Sequence, residues 1–285
     1  MFMYSIIASS QKKEVIIEPI KITDNIYMLK GQGGNIGLFF GEDGAFMIDD
    51  QFAKLTPKIL TAIKGITDKK ITYLINTHWH GDHTGGNENM SKEGAIIVSH
   101  KNVRKRMSVE SIARGRKKPA SPKEALPIIT FTEDMMFHSN GEDILITHVH
   151  NAHTDGDAHV YFTNSNVLHM GDTYFQGKFP FIDLESGGSI EGYIASAEKA
   201  LMMINDKTVI IPGHRGLSNK QELQTYKKML VTLRDRVAAK IKEGKTVEEV
   251  KKDETITKEY AKEYGGWFIT AESIRETIYM SLTKK

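Results

Sequence analysis

The run Thr77-His78-Trp79-His80-Gly81-Asp82-His83 puts three histidines and an aspartate within six positions, directly after the apolar stretch Ile71-Thr72-Tyr73-Leu74-Ile75. A fold that ends a strand on such a cluster must find partners for several polar groups at once, and a metal ion satisfies them together. On an extended segment side chains alternate, so His78 and His80 point the same way toward one ion. A turn at Gly81 then aims Asp82 and His83 toward a second. Imidazole and carboxylate bind zinc without help from sulfur. That matters because the 285-residue chain has no cysteine, which also rules out a disulfide framework and a thiol nucleophile.

Two ions need more ligands than one cluster supplies. His153 opens the loop His153-Thr154-Asp155-Gly156-Asp157, Asp172 follows His169-Met170-Gly171, and His214 follows Ile210-Ile211-Pro212-Gly213. Each candidate stands just past an apolar strand. On position alone His148 and His150 rival His153, although His148 shares a strand face with Ile144 and Ile146 if that segment is extended, and then reads as a packed histidine.

Strands are predicted at residues 15–22, 26–30, 35–40 and 45–48, an antiparallel meander separated by Gly-, Asp- and Asn-rich turns. Helix 53–64, strand 71–76, short helix 86–91, strand 95–99 and helix 101–114 follow. A second β-rich stretch has strands at 128–131, 143–149, 159–162 and 167–170. Then come helix 189–204, strand 208–211 and helices 220–242 and 271–282. Strands then helices, twice over, predict two β-sheets packed face to face with helices outside, an αββα sandwich of α/β class. Residues 11–285 are expected to form one domain, with residues 114–122 as a mobile, charged loop. The stripe Trp267, Phe268, Ile274, Ile278 and Met280 is expected to pack on the core or on another subunit, the core being preferred.

Composition excludes little. With 38 Lys and Arg against 36 Asp and Glu the net charge is +2, which argues against a nucleic-acid partner. No apolar run approaches the roughly 20 residues of a membrane span. Residues 1–10 are mostly apolar, with Ala8 and Ser10 where a signal peptidase takes small residues. They read as a signal-peptide remnant or a frayed terminus, and a periplasmic or secreted location is expected over a cytoplasmic one.

The series Thr-His-Trp-His-Gly-Asp-His-Thr-Gly-Gly (residues 77–86), His153, Gly171-Asp172 and Pro212-Gly213-His214 closely resembles the metallo-β-lactamase-fold hydrolases, over nearly the whole chain. The resemblance implies that His78, His80 and His153 hold one zinc, that Asp82, His83 and His214 hold a second, and that Asp172 bridges them. It also decides for His153 over its rivals. True β-lactamases of this fold carry Cys or Ser where Asp172 stands, whereas Asp is similar to glyoxalase II and the lactonases. The segments 153–157 and 171–175 look closer to β-lactamase-like members.

The expected activity is therefore a dinuclear zinc hydrolase acting on a small molecule. Its two Zn2+ share a hydroxide that opens a cyclic amide or ester, with β-lactam-like and lactone substrates first. Thioester hydrolysis of glyoxalase II type is the alternative, and a mononuclear iron dioxygenase or a phosphodiesterase is more remote. Asp82 is the expected catalytic carboxylate, orienting the nucleophile and passing a proton to the leaving group. Thr154, Asp155 and Asp157 are expected to fix imidazole tautomers. Tyr174, Lys178 and Phe179 are expected to line the pocket, with Lys178 facing a substrate carboxylate. Trp79 is expected beneath the site, and Asp49 and Asp50 to brace neighbouring loops. Gly33-Gly34 is expected at a hairpin tip.

Overall fold

In this computed structural model, which describes residues 14–113 and 116–284, two sheets stack face to face. The first contains β1 (Glu18–Lys21), β2 (Ile26–Lys30), β3 (Ile36–Gly41), β4 (Gly44–Ile48), β5 (Ile71–Asn76), β6 (Ile96–His100) and, beyond the hairpin β7 (Ser111–Ala113) and β8 (Arg116–Lys118), β9 (Ile129–Phe131). The second runs β10 (Asp134–Ser139), β11 (Glu142–Val149), β12 (Asp157–Phe162), β13 (Val167–Phe175) and β14 (Val209–His214), in that order. β1 to β4 pair antiparallel, while β5, β6 and β9 add in parallel. In the second sheet only the β13/β14 pair is parallel.

Alternation along the strands sorts side chains between layers. In β4, Phe46 and Ile48 face the second sheet, while Ala45 and Met47 face α1 (Thr56–Lys64). Between the sheets lie Phe39, Phe46 and Ile75 from one side and Ile144, Ile146, Val160 and Phe162 from the other. The outer face of the second sheet packs on α5 (Ile190–Met203), α6 (Lys220–Lys242) and α9 (Ala271–Thr283). Every residue of β12 and β13 is buried, as expected for strands covered on both faces. The four layers are the αββα sandwich expected. Among the described residues no helix is long and apolar enough to cross a membrane.

Three local expectations change. The helix expected over 101–114 ends at Met107 as α4 (Lys101–Met107), because Val103 and Met107 are its last residues to reach the core, and the chain then turns into β7. The loop expected at 114–122 is in part β8, paired antiparallel with β7. β10 has no counterpart in the sequence reading. It is an edge strand with alternating half-exposed residues, and it joins β11 through Asn140 and Gly141 at φ 55° and 72°, the positive-φ pair of a tight hairpin. Residues 1–10, read as a signal remnant, lie outside the described residues.

The sandwich depends on contacts such as the ring pair of Phe39 and Phe162, with centroids 5.2 Å apart across the interface. Phe162→Ala should lower unfolding free energy by about 3–5 kcal/mol in a denaturant titration. A loss below about 1 kcal/mol would show that the inter-sheet packing is not as described.

Candidate metal centre

The candidate ligands arrive on four strand exits at one end of the sandwich. β5 delivers His78, after which the chain turns into α2 (Gly81–Thr84), carrying Asp82 and His83. β11 and β12 flank the loop with His153, and β13 and β14 carry Asp172 and His214 near their ends. The structure brings all seven side chains together. His78, His80, His153 and Asp172 form one group and Asp82, His83 and His214 another, each with donor atoms within 4.8 Å of one another. His80 Nδ1 and His153 Nε2 are 2.8 Å apart, both aimed into the first group.

Asp172 joins the groups. Its Oδ2 lies 3.8 Å from His78 Nε2 and 3.6 Å from His153 Nε2, while its Oδ1 lies 3.1 Å from His83 Nε2 and 3.3 Å from His214 Nε2. Asp82 Oδ2 closes the second group, 3.4 Å from His214 Nε2 and 3.7 Å from His83 Nε2. Buried His78 Nε2 has no hydrogen-bond partner, and buried His83 Nε2 and Asp172 Oδ1 make no well-formed hydrogen bond beyond their mutual ion-pair contact. Leaving such atoms orphaned costs about 1–3 kcal/mol each. A pair of cations would satisfy all three, and the donor set of imidazole and carboxylate is the one such cations take.

The opposite ring atoms are braced. Thr77 Oγ1 lies 3.0 Å from His78 Nδ1, Asp183 Oδ2 lies 2.8 Å from His80 Nε2, Asp49 Oδ2 lies 2.7 Å from His83 Nδ1 and the Phe181 carbonyl lies 2.6 Å from His153 Nδ1. Such partners fix the tautomer that presents a lone pair to a metal. Asp49 also accepts from the Thr77 backbone N at 2.8 Å, and Asp50 from Gly86 N at 2.8 Å, so both brace loops as expected.

Other expectations are corrected. Asp157 fixes backbone rather than a ring: it accepts from His153 N at 2.7 Å, from Thr154 N at 2.8 Å and from Thr154 Oγ1 at 2.5 Å. Asp155 pairs with Arg106 instead, at 2.6 and 2.8 Å. Tyr174 faces away from the centre into the core, its hydroxyl 2.8 Å from Ser218 Oγ, and Phe179 is buried in the same cluster. Lys178 does not present a free ammonium, because its Nζ donates to the Gly265 carbonyl at 2.7 Å. His148 and His150 turn elsewhere, His148 stacking on His100 and His150 reaching Glu133. Trp79 packs beneath the cluster on Val103 and Met107. Gly34 is packed directly against the centre: a Cβ there would lie 2.1 Å from His83 Cε1. Sequence reasoning missed Asp183, Phe181 and Trp267. Asp183 and Phe181 lie in a segment legible only as a loop, and Trp267 comes from a stripe assigned to the core.

Charge divides the histidines. Burial pushes His153 down to about 4 and His78 well below the ordinary histidine value, so both are neutral donors at pH 7. Burial also opposes charge on His83 and His214, but carboxylates outweigh it. Asp172, Asp82 and Asp49 raise His83 well above its usual value, and Asp172 with Asp82 lifts His214 to about 9. Burial opposes ionisation of Asp172 and Asp82 too, yet the neighbouring His83 and His214 hold Asp172 well below the carboxylate range and Asp82 at about 2.

A sequence model of the Metallo-beta-lactamase superfamily matches residues 29–214, from β2 to the last candidate ligand. The chain belongs to this superfamily of metal-binding hydrolases. It is similar to the hydroxyacylglutathione hydrolase of Pelagibacter ubique, 30% identical over 158 residues, covering 53% of this chain and 56% of that one. It is likewise similar to the hydroxyacylglutathione hydrolase GloC of Haemophilus influenzae, 27% identical over 52% of this chain and 70% of that protein. The chain thus spans little more than half the length of the Pelagibacter relative. Among solved structures, a metallo-beta-lactamase from Pontibacter korlensis aligns with TM-score 0.64 and 18% identity over 75% of this chain and 98% of its own. The sec-alkylsulfatase Pisa1 from Pseudomonas sp. aligns with TM-score 0.70 and 15% identity over 93% of this chain and half of its own. At these identities the structures speak to the fold alone.

Two outcomes test the site. Asp183→Asn, which weakens the brace on His80 without changing shape, should cost about 10–100-fold in metal affinity while leaving the thermal transition of the metal-free protein in place; unchanged affinity would remove Asp183 from the site. Because His83 and His214 are protonated at pH 7 without metal, cation binding should release about two protons per chain, read by calorimetry in buffers of different ionisation heat. Affinity should rise with pH, and the His214 share of the release should fade above about 9, where that ring is already neutral. Release near zero at pH 7 would contradict this charge assignment.

Proposed function

We propose that the chain is a dinuclear zinc hydrolase that cleaves an activated acyl bond of a small molecule, with thioesters as the first class to test. The observation that carries this reading is the division of the Asp172 carboxylate, one oxygen facing each group of histidines. Hydroxyacylglutathione hydrolases are thioesterases by name, and the similarity to them favours thioesters over the β-lactam-like amides and lactones that lead the sequence reading. Those cyclic substrates remain in the panel.

When bound, paired divalent ions lower the pKa of water toward about 7 and polarise a carbonyl oxygen. The chain's own residues do the rest. His78, His83, His153 and Asp172 are almost fully buried, whereas the side chains of His80, Asp82 and His214 are 18%, 30% and 14% exposed, so a substrate reaches the centre past these three. Asp82 is ionised at neutral pH and, 30% exposed, sits at this opening. It orients the water, accepts its proton and delivers it to the departing sulfur, oxygen or nitrogen.

Zinc-loaded protein should hydrolyse members of a panel of acyl thioesters, lactones, chromogenic β-lactams and phosphodiesters, and metal analysis should return two zincs per chain rather than one iron. In Asp82→Asn, kcat should fall by about 10²–10⁴-fold, a larger loss than that of zinc content. Near-normal turnover in that variant would overturn the role of Asp82, and silence across the whole panel would overturn the hydrolase reading.

A further inference from the structure

The opening between His80 and His214 has an aromatic border. Phe181 stacks on the His80 ring at 5.8 Å and 25° and meets the His153 ring edge-on at 5.5 Å. Phe268 lies edge-on to Phe181 at 5.8 Å and to Trp267 at 4.4 Å. Trp267 in turn meets His214 at 5.3 Å and 61°. An unbroken arc of three rings therefore joins His80 and His214, two of the three candidate ligands that solvent can reach and one from each group.

The arc is held in place. The Phe179 backbone N donates to the Tyr264 carbonyl at 3.0 Å, and the Lys178 ammonium donates to the Gly265 carbonyl at 2.7 Å, which pins the segment carrying Trp267 and Phe268 to the exit of β13. Its outer member is open: Phe268 is 46% exposed, while Phe181 and Trp267 are half-buried. A large apolar ring left exposed beside a polar centre is a surface that gains by being covered.

We propose that the Phe181–Phe268–Trp267 arc is a specificity-determining subsite that takes the apolar acyl chain of the substrate, laid from the scissile carbonyl at the centre outward across Phe268. The carboxylate of the product stays at the centre and its hydrocarbon tail covers the rings. The subsite selects substrates by acyl length; Lys178, at the exit of β13, is engaged by the Gly265 carbonyl. This deepens the hydrolase reading and rests on it.

The test uses the 285-residue, zinc-loaded protein with acetate, butyrate, hexanoate and octanoate as probes, read through intrinsic tryptophan fluorescence; Trp267 is one of two tryptophans. Kd should fall about threefold to fourfold for each added methylene that is covered. In Phe268→Ala, a change at an exposed ring that leaves the core intact, the length dependence should flatten to less than about twofold over the series, and Phe268→Leu should restore most of it. Turnover of an acyl thioester series of the same lengths is measured in parallel. Equal length dependence in wild type and Phe268→Ala, or none in wild type, overturns the subsite even if turnover is present. Absence of turnover with the binding gradient intact supports the subsite and counts against the hydrolase reading alone.

Discussion

Burying the carboxylate of Asp172 without compensation would destabilise the fold, and the arrangement around it is what makes that burial tolerable. Its two oxygens face opposite groups of imidazoles, His83 and His214 on one side and His78 and His153 on the other. The backbone beneath is fixed as well. The Tyr193 hydroxyl donates to the Asp172 carbonyl, and Gly213 packs so close that a Cβ there would fall 2.0 Å from Oδ1. An apolar replacement at 172 would remove the link between the groups and take from His83 and His214 the largest of the negative charges that raise their pKa values.

The sandwich supplies what a loop alone could not, namely positions held rigidly from several directions. The β5 exit is tied to the end of β4 through Asp49, and the His214 turn is tied to the first sheet by Asn35, whose Nδ2 donates to the Pro212 carbonyl at 2.9 Å and to the Arg215 carbonyl at 3.1 Å. Asp157 closes the His153 loop through its backbone, and Asp183 reaches across to His80. The two sheets thus meet at the centre, and a slip between them would separate Asp172 from the histidines of β5 and α2.

Much of this was legible in the residues. The 77–83 run names its own chemistry, and the recurrence of Asp172 and His214 after apolar strands ending in glycine pointed to one end of the sandwich. The strand pattern and α6 were readable from periodicity. What was not readable has physical reasons. Asp183 braces His80 across 103 positions of sequence, and no local pattern encodes such a contact. Tyr174 and Lys178 follow Asp172 closely, but β13 continues to Phe175 with register shifts around Gly171, which turns Tyr174 inward and leaves Lys178 beside Gly265. Trp267 and Phe268 belong to an apolar stripe of which Ile274 and Ile278 are in the core, whereas Met280 is exposed rather than packed there as expected. Trp267 packs on the core as expected and also meets His214, and periodicity could not tell that a ring of that stripe would border the candidate metal centre. β10 was missed although Asn140-Gly141 is a strong hairpin pair, because the strand before it is half polar.

The most direct test is anomalous diffraction at the zinc edge from crystals of the zinc-loaded protein. The account predicts two peaks about 3.5–4 Å apart, one among His78, His80 and His153, the other among Asp82, His83 and His214, with Asp172 between them. A lone peak, or density placed away from Asp172, would contradict it.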